Sequence, residues 1–180
     1  VKSYLLGVWN VIDPVYYSLT RLRYVPGEDK NSKCVFRVRL TRYKGETVKL
    51  QDGTIIQKND ILLKIHLHNV KLLKKLQAIK SDMKRAVYIY HMVKKSLPYL
   101  AKYVELHPKR PNIKGVIGIT TLHKGSRQLG FEVFSIKNEF YRTYKKATFL
   151  PINMIANATK HEEPVYLFMS KQNLLERHRN

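Results

Sequence analysis

The chain has 180 residues, enough for one domain with a real core, and its 44% apolar and 26% charged content excludes wholesale disorder. Lys and Arg total 34 against 13 acids, a formal charge of +21, which favours polyanions: nucleic acid, an anionic membrane surface or phosphate-bearing metabolites. The single cysteine, Cys34, excludes an intramolecular disulfide framework and a Cys-rich zinc site; it fits a reducing compartment and reads as a small apolar strand residue.

Residues 1–24 read as two short N-terminal helices. The opening Val1–Ile12 is apolar but shorter than the ~20 residues of a bilayer span. It meets Asp13-Pro14 where a secretory signal would carry a small-residue cleavage site. Asp13 reads as an N-cap and Pro14 as the first position of a second helix ending near Leu22. With Trp9, Tyr16 and Tyr17 among aliphatic residues, these helices are expected to pack on the domain or to lie on an anionic membrane.

After a polar loop, two stretches alternate apolar and basic residues: Phe36-Arg-Val-Arg-Leu-Thr-Arg-Tyr43 and Leu63-Lys-Ile-His-Leu-His-Asn69. Side chains on a strand point to opposite faces in turn. Phe36, Val38, Leu40, Leu63, Ile65 and Leu67 are therefore expected to face a core, with Arg37, Arg39, Lys64, His66 and His68 on the other face. Between them, Asp52-Gly53 marks a hairpin, so 34–68 reads as a small antiparallel meander.

Asn69 can cap a helix in which Leu72, Leu76, Ile79, Met83, Ala86, Tyr90, Val93 and Leu97 recur every three or four residues, a long amphipathic stripe. Pro98 is expected to kink or break it before a second piece at 99–104. Its outer side would carry Lys71, Lys74, Lys75, Lys80, Lys84, Arg85, Lys94 and Lys95, either a solvated face or a landing strip for phosphates. Further along, Gly115–Leu122 reads as an interior strand, a short helix runs from about His123 to a Gly130 cap, and Phe131–Ile136 is a strand. A helix from Asn138 to about Lys146 and an irregular stretch with Pro151 follow. Pro164–Met169 is the last strand, and Ser170 caps a terminal helix with a basic end. The expected fold is α+β (mixed α/β) in a single domain, 1–180, with strands and helices alternating in its second half.

No motif fixes a reaction or names a cofactor. His66-x-His68 has a spacing that metal sites use, but no third ligand is marked, and Arg37, Arg39 and Lys64 would repel a cation. Anion binding is the better use of the group. His123-Lys124-Gly-Ser-Arg127 opens a predicted helix, whose backbone N–H groups favour anions, so Lys124 and Arg127 join the anion-binding candidates. Nucleophilic catalysis lacks a Gly-x-Ser-x-Gly motif, and a paired-carboxylate mechanism would have only Asp60, Glu132 or Glu139 to draw on.

The runs Trp9-Asn-Val-Ile-Asp-Pro14, Phe36–Gly45, Asp52-Gly-Thr, Lys58-Asn-Asp, Lys64–Asn69, Gly115–Thr120, Leu129-Gly-Phe131 and Met169-Ser-Lys171 resemble, in order and spacing, the bacterial YkoP-like family. Similar domains end some polysaccharide deacetylases, so the resemblance implies a cell-envelope context; it carries over no catalytic residue. The leading expectation is a protein that binds a phosphate-bearing anionic ligand: an envelope precursor, a nucleotide or a lipid head group. Arg37 and Arg39 would clamp the anion, Lys64 would add charge, and His66, His68 or His123 would donate or shuttle a proton. The alternatives are a nucleic-acid binder using the lysine-rich helix and a peripheral membrane scaffold. The expected location is cytoplasmic, with attachment to the inner face of the membrane as the variant that the N-terminal helices would serve.

Overall fold

A computed structural model describes residues 22–26, 34–67, 72, 75–76, 78–156 and 163–179. The N-terminal helices read in the sequence, apart from their last residues, and His68 and Asn69 lie outside them. The described fold is α+β. Its strands are β1 (Arg23–Tyr24), β2 (Phe36–Arg42), β3 (Val48–Lys49), β4 (Ile55–Ile56), β5 (Ile61–Leu67), β6 (Ile113–Thr120), β7 (Glu132–Ser135) and β8 (Val165–Ser170). The helices, beyond single turns, are α1 (Asp82–Glu105), α2 (Glu139–Ala156) and α3 (Lys171–His178).

Among the described residues six strands form one sheet in the order β1-β2-β5-β6-β8-β7. Every neighbouring pair is antiparallel except β5–β6. A parallel pair needs a long crossover, and α1 lies within it. The alternation of β2 and β5 works as the sequence implied. Phe36, Val38, Leu63 and Ile65 join Val116, Leu167 and Met169 in the main core, beneath Leu97, Leu100, Ala101 and Val104 of α1 and Leu174 of α3. The opposite face buries Leu62, Ile117 and Phe168 under Tyr43, Leu50 and Ile56. At Gly115 an added Cβ would lie 2.5 Å from the Met169 carbonyl oxygen, so only glycine lets β6 approach β8 this closely.

Several details differ from the expectation. The hairpin at Asp52-Gly53 is not part of a meander: β3 and β4 pair as a separate ribbon, and β2 joins β5 directly. The ribbon lies on the second core, pinned where Ser170 Oγ donates to the Asp52 carboxylate and the Gln51 backbone N–H donates to Glu132. Arg23 and Tyr24, expected at the end of a helix, form the edge strand β1. The helix break falls at 78–81, not at Pro98, which sits inside α1. Ser81 caps the new helix by accepting from the Lys84 backbone N–H. Arg85 is buried, its Nε donating to the Leu76 and Ile79 carbonyls that the break leaves exposed. The restart resets the helical phase. Met83, 78% exposed, and Ala86 therefore fall outside the core that a continuous stripe would have given them. Past Lys146 the chain stays helical through Pro151 to Ala156.

Candidate functional site

Register builds the site. Antiparallel pairing sets Arg37 opposite His66 and Arg39 opposite Lys64, all on the face away from α1. Directly paired side chains start about 5 Å apart and diagonal ones about 7–8 Å, so the four side chains leave the sheet from one small area. Edge strand β1 adds Tyr24 opposite Arg37. The Arg37 Cζ lies 5.0 Å from the centre of the Tyr24 ring, and its Nη2 donates to Tyr24 Oη at 2.8 Å. That double contact fixes the guanidinium, and Arg37 as a residue is only 4% exposed.

A fifth basic group comes from α2. Lys145 acts electrostatically on Lys64, His66 and, reciprocally, Arg39. Its Nζ lies 5.4 Å from the ring centres of both Tyr141 and Tyr144, aromatic faces that suit a cation. Tyr141 in turn sits near Tyr166 of β8, which is on the same sheet face. Sequence reasoning missed Lys145 and Tyr24. Tyr141-x-x-Tyr144-Lys145 on the predicted helix was the available signal, because that spacing puts the three on one helical face.

Burial and like-charged neighbours act together on the lysines and the histidine of this group. Burial, then Lys145 and Arg39, lower the Lys64 pKa to about 8. Burial, then Lys64, Arg39, Lys145 and Arg37, lower His66 to about 3, so its ring is neutral at pH 7. Burial and Arg39 also lower Lys145. His66 Nε2 is buried with no hydrogen-bond partner among the described residues. Such atoms are rare in native proteins and cost about 1–3 kcal/mol unless water or a ligand meets them.

The described carboxylates are engaged elsewhere. Asp60 pairs with Lys114, Glu46 with Lys137, Glu105 with Arg179, Glu139 with Arg142, and Glu163 with Lys146. Asp52, Glu132 and Glu176 accept hydrogen bonds from Ser170, Gln51 and Gln172. None of them reaches Lys64, His66 or Lys145. Asp60 and Glu132, two of the carboxylates available for acid-base work, thus sit in contacts between elements, and Glu139 makes only an exposed pair within α2. Cys34 packs against the main core, and burial raises its thiol pKa, which keeps it protonated and unreactive.

The other candidates are placed as follows. His68 lies outside the described residues. The turn carrying His123, Lys124 and Arg127 is on the α1 side of the sheet, where a Cβ at Gly125 would lie 3.4 Å from Tyr90. The helix expected there is a four-residue 3-10 turn, Ser126–Leu129, closed by Gly130 with φ 92°. Among the described residues no three His, Cys, Asp or Glu side chains are grouped as a metal would need, and no helix is long and apolar enough to cross a membrane.

A family model described as YkoP domain matches residues 2–178. The chain is 46% identical over 178 residues to a Bacillus subtilis (strain 168) protein whose name reads "Uncharacterized protein YkoP", covering 97% of this chain and 96% of that one. No solved structure matches.

Proposed function

This chain belongs to the YkoP domain family, and from that premise we propose that it binds a phosphate-bearing anionic ligand on the sheet face formed by Arg37, Arg39, Lys64 and His66, with Lys145 closing the group from α2. One observation carries the reading. Lys64 and Lys145 are held partly out of water beside a neutral, buried imidazole, and no described carboxylate offsets them. Crowding like charges costs stability, and an anion removes that cost. Phosphate suits the donors: each guanidinium offers paired N–H groups to two oxygens, while a lysine supplies a compact charge. The neutral His66 ring can donate one hydrogen bond, or accept a proton once an anion sits beside it.

The test is a thermal-shift panel at fixed, near-physiological salt. It compares nucleotides, coenzyme A, sugar nucleotides, soluble lipid head groups and a short RNA on the wild type and on His66→Ala. The reading expects a selective, saturable rise in Tm that Arg39→Ala or His66→Ala reduces at least about tenfold in apparent affinity, or roughly 1.4 kcal/mol. Equal shifts from every polyanion, unchanged by either substitution, would replace it with surface binding by exposed lysines such as Lys84, Lys94 and Lys95 of α1. Dependence on anionic vesicles alone would favour the membrane-scaffold alternative instead.

A further inference from the structure

The outer side of α1 is shaped by the helix break that precedes it. Arg85, buried, donates from Nε to the Leu76 and Ile79 carbonyls, and Ser81 caps the helix that restarts there. The restart turns Met83 and Val87 outward, one helical turn apart and 78% and 49% exposed. Lys84 stands beside them, exposed. About three turns further on come Lys94 and Lys95, and about five turns on Lys102, all exposed along the same side. These lysines make no ion pair among the described residues. Asp82 is the only acid in the sequence between Lys71 and Lys102. The face is therefore basic and apolar at once.

We infer that this face of α1 docks on an anionic membrane surface. Exposed lysines alone would suit any polyanion. Met83 and Val87, interleaved with them, call for an apolar phase directly beside the negative charge. A phosphodiester backbone does not offer one, and the boundary between lipid head groups and acyl chains does. The contact is shallow, because α1 keeps Leu97, Leu100, Ala101 and Val104 of its inner side in the main core. Only the outer side chains reach the lipid, the lysines at the head groups and Met83 and Val87 just below them. The Arg–His face lies on the other side of the sheet from α1. Docking through α1 turns that face toward solution, so the two surfaces act and can be lost independently.

Vesicle co-sedimentation of the full chain at near-physiological salt tests this, with phosphatidylcholine vesicles compared with phosphatidylcholine–phosphatidylglycerol vesicles. The expected result is retention on the anionic vesicles and little on the neutral ones. Lys94→Gln with Lys95→Gln should weaken partition roughly twentyfold, and Met83→Ser with Val87→Ser at least about fivefold. His66→Ala should stay within about twofold of wild type. Far-UV circular dichroism of the α1 variants should match wild type, because the substituted side chains are exposed. No retention on anionic vesicles would overturn the proposal. Retention that survives both α1 pairs would overturn α1 as the docking face. Loss with the lysine pair but not with the serine pair, together with equal binding of a short DNA duplex, would replace the lipid with nucleic acid. Loss in His66→Ala with the α1 variants unaffected would move the lipid to the Arg–His face.

Discussion

Lys64 and His66 show most plainly what the cluster costs. Below pH 8 Lys64 is charged in both folded and unfolded chains, and the folded one bears an unfavourable cation. Between about 8 and its ordinary 10.5 the folded chain sheds the proton first, so the penalty fades as pH rises and is gone above that range. Lys64→Met should therefore stabilise the ligand-free protein at pH 7 by on the order of 1–3 kcal/mol. The gain should shrink toward zero near pH 10.5, read by denaturant unfolding at both pH values; a loss at pH 7 would mean that Lys64 has an unrecognised acidic partner. His66 acts in the other window. Its folded pKa of about 3 lies below its ordinary 6.5, so the unfolded chain takes a proton first as pH falls between them. Stability must drop across that range, and His66→Phe should flatten this limb by up to one proton's slope. An unchanged acid limb in the variant would show that His66 titrates as an ordinary exposed ring.

At the scale of elements, Ser170 joins three parts of the fold: it ends β8, caps α3 by accepting from the Asn173 N–H, and donates to Asp52 in the β3–β4 ribbon. Ser170→Ala should cost about 1–2 kcal/mol, the range for a lost helix cap, measured by chemical unfolding. Restoring the cap with Ser170→Thr should recover most of it, and no loss in Ser170→Ala would show that neither contact matters. Elements with strong local signals were legible: the alternating strands, the Asp-Gly hairpin, the interior strand at β6 and the Ser170 cap all follow from period, turn chemistry and capping. Most of the candidate site was legible for the same reason, because alternation alone put Arg37, Arg39, Lys64 and His66 on one face. Lys145 and Tyr24 were not: helical spacing groups Lys145 with Tyr141 and Tyr144 but does not carry it across the chain to Lys64, and a two-residue edge strand leaves no periodic trace. The helix break at 78–81 was hidden because Leu76, Ile79 and Met83 keep helical spacing across it, and the deciding contacts come from the Arg85 guanidinium. Pro98 misled in the opposite direction: buried Leu97, Leu100 and Ala101 around it hold the helix against the core, and packing outweighs one missing N–H.

For the whole molecule, a formal charge of +21 means that folding gathers like charges, so stability should respond to screening. Raising sodium chloride from about 10 mM to 150 mM shortens the Debye length from roughly 30 Å to 8 Å. Tm should rise by several degrees without any specific ligand, and a flat or falling Tm would show that the basic surface is already neutralised within the chain. This general response is also the background against which a specific site must be seen, because any polyanion benefits from it. On the proposed reading the Arg–His face, and not the surface at large, receives the anion, and NMR of lysine- and histidine-labelled protein titrated with phenyl phosphate at constant ionic strength tells the two apart. Saturable shifts are expected at Lys64, Lys145 and His66, with Lys84, Lys94 and Lys95 on α1 unmoved over the same range. Shifts of similar size at the α1 lysines, rising without saturation while Lys64 and His66 stay still, would contradict it.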